Sequence, residues 1–180
     1  AYGVFRIMAE NPDAVIAVAP SDHLIRKQDE FRNVMDEAFR FASENNALLT
    51  LGIRPDRPET GYGYIQANTM QPVIGYEGLH KVKAFTEKPG LAMAKLFLES
   101  GDFYWNSGIF IWRASTILES YSRHLPDIFH TFNDGKALFS TADEREFITQ
   151  AYSQCSSISV DYGIMEKADN VYVICTDLGW

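Results

Sequence analysis

The sequence predicts an α/β fold in which helices alternate with the strands of one sheet. Two short apolar runs, Ala14–Ala19 and Ala47–Ile53, flank an amphipathic helix predicted over Asp29–Asn46. The first run is rich in β-branched residues and apolar throughout, so we expect a strand that is buried on both faces of a parallel sheet. A strand, a helix and a second strand in that order form a crossover unit, which is typical of α/β sheets. With 46% hydrophobic and 13% aromatic residues in 180, the chain is able to bury a substantial core. We therefore expect one domain over residues 1–180.

The other elements follow in order from the same two periodicities. The first eleven residues have the pattern of an amphipathic helix without a start signal. Strands are expected around Tyr64–Ala67 and Lys81–Phe85, and because no helix separates them we expect them to be antiparallel. The remaining predicted elements are a helix over Leu91–Ser100, a strand over Gly108–Arg113, helices near Ser115–Arg123 and Ala142–Gln154, and a strand over Asn170–Thr176. The result is a Rossmann-like mixed sheet flanked by helices.

Charge and cysteine content argue against several classes of protein. The net charge of −8 has the wrong sign for a protein that binds nucleic acid through general phosphate contacts. No apolar run of about 18 residues occurs, so no membrane association is expected. Cys155 and Cys175 cannot form a disulfide framework for a chain of this size, and the four histidines have no zinc-ligand spacing. We expect a soluble protein of a reducing, cytoplasmic compartment.

Two carboxylates come directly after predicted strands. Asp22, followed by His23, comes after the first strand, and Asp177 comes after the last. Ligands of open α/β sheets bind beyond the carboxyl ends of the strands, and Mg²⁺ is bound by one or two carboxylates together with phosphate oxygens. If both strands lie in one sheet, the two carboxylates can share a metal ion. A turn or helix-capping role remains the alternative for each of them.

Three further segments carry groups that suit a phosphorylated sugar. Glu87 can accept hydroxyl groups while Lys88 neutralises a phosphate, and Asn106 can bind another hydroxyl pair. Gly63, in a Gly-Tyr-Gly-Tyr run, allows the backbone to approach a ligand closely. The alternatives are a solvated Glu-Lys turn and a turn asparagine. The aromatic residues 103–105 favour packing in the core over a stacking platform.

Six segments, taken in this order, resemble the sugar-nucleotide pyrophosphorylases, and within them the mannose-1-phosphate guanylyltransferases. They are APSDH, LGIRPDRPETGYGYI, FTEKPG, FYWNSGIFIWR, SVDYGIMEK and DLGW, and they extend from about Ala19 to Trp180. The resemblance implies an α/β fold of the nucleotide-diphospho-sugar transferase type. It also implies that mannose 1-phosphate attacks the α-phosphorus of GTP, giving GDP-mannose and pyrophosphate with Mg²⁺ as cofactor.

The same resemblance implies a role for each candidate residue. Asp22 and Asp177 would hold the metal, and Asp22 and Lys88 would be the catalytic residues. Lys88 would meet the sugar phosphate, Glu87 and Asn106 would bind mannose hydroxyls, and Gly63 would contribute its backbone. Asp161 is expected near the sugar pocket without a defined role. The residues expected at the sugar phosphate are thus Gly63, Glu87, Lys88, Asn106 and Asp161.

One departure from the family pattern limits what we expect of the chain. The family opens with a glycine-rich loop of the GGxGxRLxPxSR type, which binds the triphosphate and recognises the base, and this sequence has no such loop. We therefore expect a fold that is incomplete at the N-terminus, holds the sugar-phosphate part of the site and is inactive alone. Transfer of the nucleotidyl group of UTP, dTTP or ATP to glucose 1-phosphate with release of pyrophosphate, and a non-catalytic regulatory domain, remain alternatives. Unpaired sheet edges leave a homo-oligomer open as well.

Overall fold

The structure is a computed structural model that describes residues 1–179; Trp180, the last residue of the DLGW segment, lies outside the described residues. The helices are α1 (Tyr2–Glu10), α2 (Gln28–Glu44), α3 (Leu91–Ser100), α4 (Ala114–His124), α5 (Pro126–Asp134) and α6 (Glu144–Gln154). The strands are β1 (Val15–Val18), β2 (Leu48–Ile53), β3 (Tyr64–Pro72), β4 (Leu79–Thr86), β5 (Phe103–Arg113) and β6 (Val171–Thr176). A 3₁₀ turn at Lys136–Leu138 and a π-helical turn at Asp161–Met165 complete the described elements.

The strands form one six-stranded mixed sheet in the order β1-β5-β2-β6-β4-β3, with β3 also pairing with β5. β2 runs parallel to β6 and antiparallel to β5, and β4 is antiparallel to both β3 and β6. The predicted mixed α/β sheet is confirmed. β2 lies inside the sheet, and all its residues are buried. This matches its largely apolar sequence.

Two details of the predicted strands are wrong. β1 was expected to be buried on both faces, but Ala17 and Val18 are exposed because β1 lies at one end of the strand order. β5 begins at Phe103 rather than Gly108, so Asn106 lies within a strand and not in a turn before it. This segment pairs with β2 on one side, where Asn106 faces Gly52, and with β3 on the other, where Tyr104 faces Ile65. Apolar periodicity alone does not reveal these pairings.

Helix α5 was not predicted, although its start signal is present in the sequence. Pro126 stands at the beginning of the helix and Asp127 in its first turn. Proline is favoured there because its missing N–H needs no partner, and an acidic side chain interacts favourably with the helix dipole. The helix was missed because it follows α4 so closely that the apolar patterns of the two helices run together in the sequence.

The chain divides into two compact units. The first contains Ala1–Ile16 and Arg113–Ala168. Its core is aromatic: the ring of Phe132 packs against Phe5 with a centroid distance of 5.9 Å and against Phe147 at 6.2 Å. Helices α1, α4, α5 and α6 lie in this unit. Among residues 1–179, none of the helices combines the length and apolar character needed to cross a bilayer.

The second unit contains Ala17–Trp112 and the described residues from Asp169 onward. Helix α2 covers the sheet with its apolar stripe, and Phe41 meets Tyr172 of β6 edge-on at 5.0 Å. On β3 and β6, Ile65 and Val173 form part of a fully buried cluster. Each loop at a strand end begins or ends in this packed sheet, which fixes that end of the loop. These loops carry most of the predicted site residues.

Candidate functional site

A cleft of about 640 Å³ in the second unit brings together residues that follow three different strands. Asp22 comes after β1, Arg54 directly after β2 and Asp177 directly after β6. Both carboxylates that the sequence analysis proposed as metal ligands therefore line this one cleft, and their role as metal ligands stays a prediction. The charged residues that line it are Asp22, Arg26, Arg54, Asp56, Arg57 and Asp177. Although the chain is acidic, this surface therefore carries as many arginines as carboxylates.

Asp177 is held by neighbours close to the end of β6. The ammonium of Lys27 donates to its Oδ2, and the backbone N–H of Gly179 donates to its Oδ1 over 3.0 Å. The Lys27 ammonium in first place, and then the Gly179 N–H, lower the pKa of Asp177 below its ordinary value. The side chain is still 70% exposed. Asp177 is therefore a charged carboxylate at neutral pH that a ligand in the cleft can reach.

The chemistry of this donor set fits a magnesium ion that is completed by a substrate. Asp22 and Asp177 offer carboxylate oxygens, the ligands that hard divalent cations prefer. Within residues 1–179, His, Cys, Asp and Glu form no group of three or more able to hold a metal ion. Protein ligands alone are thus too few here. Magnesium sites that serve phosphate chemistry have this composition, because phosphate oxygens and water supply the remaining ligands.

Gly63, Glu87 and Asn106 meet at the beginning of β3. A Cβ atom at Gly63 would lie 2.3 Å from Oε2 of Glu87 and 3.3 Å from Cβ of Asn106. The backbone N–H of Asn106 donates to the carbonyl oxygen of Gly63 over 2.8 Å. Only glycine leaves room for the Glu87 carboxylate in its present position. Gly63 thus contacts both Glu87 and Asn106, which the sequence analysis took from separate motifs. We call these three residues the sugar group, after the role that the sequence analysis expects of them.

The side chain of Asn106 is held by hydrogen bonds from the sheet. Its Oδ1 accepts from the hydroxyl of Thr50 and from the backbone N–H of Gly108, each over 3.1 Å. Thr50 is fully buried in β2 and also donates to the carbonyl of Ile109 over 3.0 Å. The pairing of β2 with β5 is irregular beside Thr50, and Gly108 has a φ of +71°, a conformation that glycine adopts without strain. The amide orientation is thus set by the core.

Lys88 follows Glu87 in the turn between β4 and α3. Its φ is +47°, which is uncommon for a residue with a side chain and is found preferentially at functional sites. Its Nζ lies 3.8 Å from Oε1 of Glu87. The two side chains differ in exposure, at 60% for Lys88 and 11% for Glu87. The arrangement presents an exposed cation next to a largely buried carboxylate.

The remaining predictions have mixed outcomes. Asp161 begins the π-helical turn of the first unit, and its expected place near a sugar pocket stays a prediction. Phe103 is 8% exposed and stacks on Phe97 with a centroid distance of 3.9 Å, which confirms core packing for this residue. Trp105 is 4% exposed, yet it also lines the cleft. Core packing and a place in the site are therefore compatible for Trp105.

Sequence reasoning missed the cations and aromatic rings of the cleft. Arg54, Arg57 and Tyr62 line it together with Trp105, but none was singled out as a site residue. A signal was available for Arg54, because it comes directly after a buried strand, as Asp177 does. Arg57 and Tyr62 reach the cleft because of the path taken by the loop between β2 and β3. The path of a loop leaves no periodic pattern in the sequence.

Comparisons with known proteins give one consistent result. The sequence profile of a family described as nucleotidyl transferase matches residues 1–152. A mannose-1-phosphate guanylyltransferase of Sinorhizobium fredii is 38% identical over 180 residues, an alignment that covers 97% of this chain and 34% of the relative. The alginate biosynthesis protein AlgA of Pseudomonas aeruginosa is 34% identical, with coverages of 100% and 37%. The xanthan biosynthesis protein XanB of Xanthomonas campestris is 40% identical, with coverages of 93% and 35%. The chain thus spans about a third of the length of these relatives.

Two solved structures are similar over nearly the whole chain. A mannose-1-phosphate geranyltransferase of Thermus thermophilus superposes with a TM-score of 0.82 at 29% identity, covering 96% of this chain and 48% of the other. A mannose-6-phosphate isomerase of Helicobacter pylori superposes with a TM-score of 0.80 at 26% identity, with coverages of 98% and 67%. The mixed sheet and its flanking helices are therefore shared with known structures.

Proposed function

The chain belongs to the nucleotidyl transferase family, and from this premise we propose that it holds the sugar phosphate in the synthesis of GDP-mannose. The reaction joins mannose 1-phosphate to the GMP part of GTP and releases pyrophosphate, as a step of nucleotide-sugar and polysaccharide biosynthesis. Support comes from relatives named for this transfer and for alginate and xanthan biosynthesis. We further propose that residues 1–180 act as part of one catalytic domain.

The contact among Gly63, Glu87 and Asn106 is the observation that carries this proposal. A carboxylate and an amide, both held in place by packing, suit the vicinal hydroxyls of a hexose, since each can pair with two of them. Lys88 stands next to this pair with an exposed ammonium, which suits the phosphate of the same ligand. A sugar with a phosphate on its anomeric carbon offers both functions in one small molecule.

The transfer itself needs alignment and charge neutralisation more than covalent chemistry. A phosphate oxygen of mannose 1-phosphate forms the new bond to the α-phosphorus of GTP, and the bond from that phosphorus to the oxygen bridging to the β-phosphate breaks. Two anions must approach each other for this reaction. Lys88 would offset the charge of the sugar phosphate, and Glu87 and Asn106 would hold the ring so that the attacking oxygen stays oriented.

Asp22 and Asp177 are the residues that would hold Mg²⁺. When bound there, the ion would neutralise charge on the phosphate oxygens during the transfer. Lys27 pairs with Asp177 in the described structure and would have to share this carboxylate with the ion. Arg54 and Arg57 add positive charge to the cleft, which favours anionic ligands over neutral sugars.

Binding of mannose 1-phosphate to the chain, measured by isothermal titration calorimetry, tests the proposal. We expect Lys88→Ala to weaken binding by roughly 10- to 100-fold, the effect of losing a charge-assisted contact. The thermal unfolding midpoint should stay unchanged because Lys88 is largely exposed. Lys95→Ala, which removes an exposed lysine from α3, is the matched control and should leave binding unaltered.

Two results would contradict the proposal. Equal or tighter binding of glucose 1-phosphate would favour the transferases that act on glucose 1-phosphate. No binding of mannose 1-phosphate or GDP-mannose by the folded chain would favour a regulatory domain of the same fold.

A further inference from the structure

Glu59 lies in the loop between β2 and β3 and caps the turn that follows it. Its Oε1 accepts the backbone N–H of Thr60 over 3.0 Å and that of Gly61 over 3.2 Å. These two donors belong to a turn without regular strand pairing. A carboxylate that accepts two successive N–H groups fixes the local path of the chain, because both bonds are charge-assisted.

The main chain of Glu59 is tied to the core of the second unit as well. Its carbonyl oxygen accepts the hydroxyl of Tyr64 over 2.9 Å. Tyr64 is fully buried at the start of β3, and its ring packs against Phe97 of α3 with a centroid distance of 5.4 Å. The four residues between Glu59 and Tyr64 are therefore held from both ends, and they include Gly63 of the sugar group.

The other oxygen of Glu59 faces a cation that reaches the cleft. Oε2 lies 3.5 Å from Nε of Arg57, whose guanidinium also pairs with Asp56 over 2.9 Å. The guanidinium carbon stands 4.9 Å from the centre of the Trp105 ring, a distance typical of cation–π contacts. Tyr62 meets the same ring edge-on at 5.3 Å. Glu59 thus connects the turn to the aromatic wall of the cleft.

The position of this turn matters because the space at Gly63 is narrow. A Cβ atom at Gly63 would overlap with the Glu87 carboxylate, so this carboxylate lies close to the Gly63 backbone. A shift of the turn by less than an ångström therefore changes the contact between Gly63 and Glu87. We infer that Glu59 is a positioning residue of the sugar-phosphate site, which keeps Gly63 and Tyr62 where a sugar phosphate can bind. This inference rests on the proposed function and names how its site is held in shape.

The test compares Glu59→Ala with Glu59→Gln in the chain. Alanine removes the acceptor, whereas the glutamine amide oxygen can still accept both N–H groups. We expect the dissociation constant for mannose 1-phosphate to rise about 10-fold or more in Glu59→Ala and to stay within about threefold of the unsubstituted value in Glu59→Gln. In NMR spectra, the amide signals of Thr60, Gly61 and Asn106 should shift in the alanine variant. Asn106 is included because its N–H donates to Gly63.

Glu44→Ala is the matched control. Like Glu59, Glu44 is a carboxylate of the second unit that accepts a hydrogen bond, here from the hydroxyl of Tyr76 over 2.9 Å. Unlike the turn that Glu59 holds, Glu44 does not line the cleft. Its removal should leave the binding of mannose 1-phosphate within twofold of the unsubstituted value. All titrations are made well below the unfolding midpoint of each variant, so that a general loss of stability does not appear as lost affinity.

Each outcome decides the inference. Unchanged binding by folded Glu59→Ala, or unshifted amides of Thr60 and Gly61, would overturn it while the proposed function stands. A Glu59→Gln variant as weak as the alanine variant would also overturn the capping role. If the unsubstituted chain binds no mannose 1-phosphate, the proposed function fails and this inference fails with it. Should Glu59→Ala not fold, Glu59→Asp is measured, and unaltered binding by that shortened carboxylate would again overturn the inference.

Discussion

The sugar group and the carboxylates of the cleft belong to the same unit but are held in different ways. Glu87 is 11% exposed and contacts Gly63, while Asn106 accepts hydrogen bonds from the sheet. Asp177, in contrast, is 70% exposed and is held by an ion pair and one turn hydrogen bond. Exposed ion pairs contribute little to stability. One region is thus formed by packing, and the other remains open to exchange its partners.

This difference suits the ligands that we propose. A sugar has a fixed arrangement of hydroxyls, so a preformed carboxylate acceptor and a preformed amide bind it without first having to be ordered. A metal ion that binds Asp177 has to share or displace the Lys27 ammonium. The exposed ion pair between these two residues allows this exchange. Substitutions in the sugar group should therefore change both stability and affinity, whereas substitutions of the exposed carboxylates should change ion binding alone. The following predictions test this contrast, beginning with the largest expected effect.

Gly63→Ala should abolish the binding of mannose 1-phosphate, weakening it by more than about 100-fold. The new Cβ would come too close to Glu87 Oε2, so this carboxylate must move away from its present position, from which we propose that it binds the sugar. Because the carboxylate is the end of a flexible side chain, we expect a cost of only about 1 kcal/mol in the free energy of unfolding. Calorimetric titration and chemical denaturation measure the two effects.

Gly3→Ala is the control for Gly63→Ala, since a Cβ at Gly3 in α1 meets open space. It should leave binding unaltered and stabilise the helix by up to about 1 kcal/mol. Normal sugar-phosphate binding by Gly63→Ala would show that Glu87 is free to move, and the contrast between the two regions would disappear.

Asn106→Ala should lower the free energy of unfolding by about 1–3 kcal/mol and weaken sugar-phosphate binding. The backbone N–H of Gly108 loses its acceptor, while Thr50 keeps its bond to the carbonyl of Ile109. Urea denaturation gives the stability change. Asn68→Ala removes an amide that donates to Gln71 at the surface, and should cost less than about 0.5 kcal/mol. Equal costs for the two variants would show that the sheet does not hold Asn106.

Asp177→Asn should weaken the binding of Mn²⁺, used as a paramagnetic probe for Mg²⁺, by about 10-fold in the presence of mannose 1-phosphate. Its unfolding midpoint should equal that of the unsubstituted chain, because the side chain is exposed. Electron paramagnetic resonance measures the free ion directly. Asp169→Asn, another exposed carboxylate in the second unit, should leave Mn²⁺ binding unaffected. A large drop in the unfolding midpoint of Asp177→Asn would show instead that Asp177 is held by packing, as the sugar group is.

The smallest effect concerns the titration of Asp177. Lys27 and the Gly179 N–H lower its pKa, so Lys27→Met should raise the pKa back toward the ordinary value. A lowered pKa in the folded state stabilises the chain above the pKa of the unfolded state, and this contribution is lost as the pH falls through the folded value. Since the group is exposed, the midpoint should change little over that range. Carboxyl ¹³C shifts follow the titration, and an unchanged pKa in Lys27→Met would contradict the ion pair.

Much of the fold follows from local pattern. The bounds predicted for the helix at Leu91–Ser100 agree with the structure, and the predicted helix over Asp29–Asn46 corresponds to α2. Apolar periodicity is a short-range property of the chain, and it decides which face of a helix is buried wherever the sheet is placed. The candidate residues Gly63, Glu87 and Asn106 could also be found locally, because each belongs to a short motif at the end of a strand or within one.

The sequence by itself determined the alternation of helices and strands, the turn residues and the family resemblance, since all of these are carried by neighbouring residues. Only the tertiary structure decided that Lys27 pairs with Asp177, 150 positions away, and that Arg57 stacks on Trp105. Such contacts depend on the order of strands in the sheet, where β2 lies between β5 and β6. Strand order is a choice among many pairings that bury the same apolar residues, so periodicity cannot specify it. The chemistry of the cleft is decided by that choice.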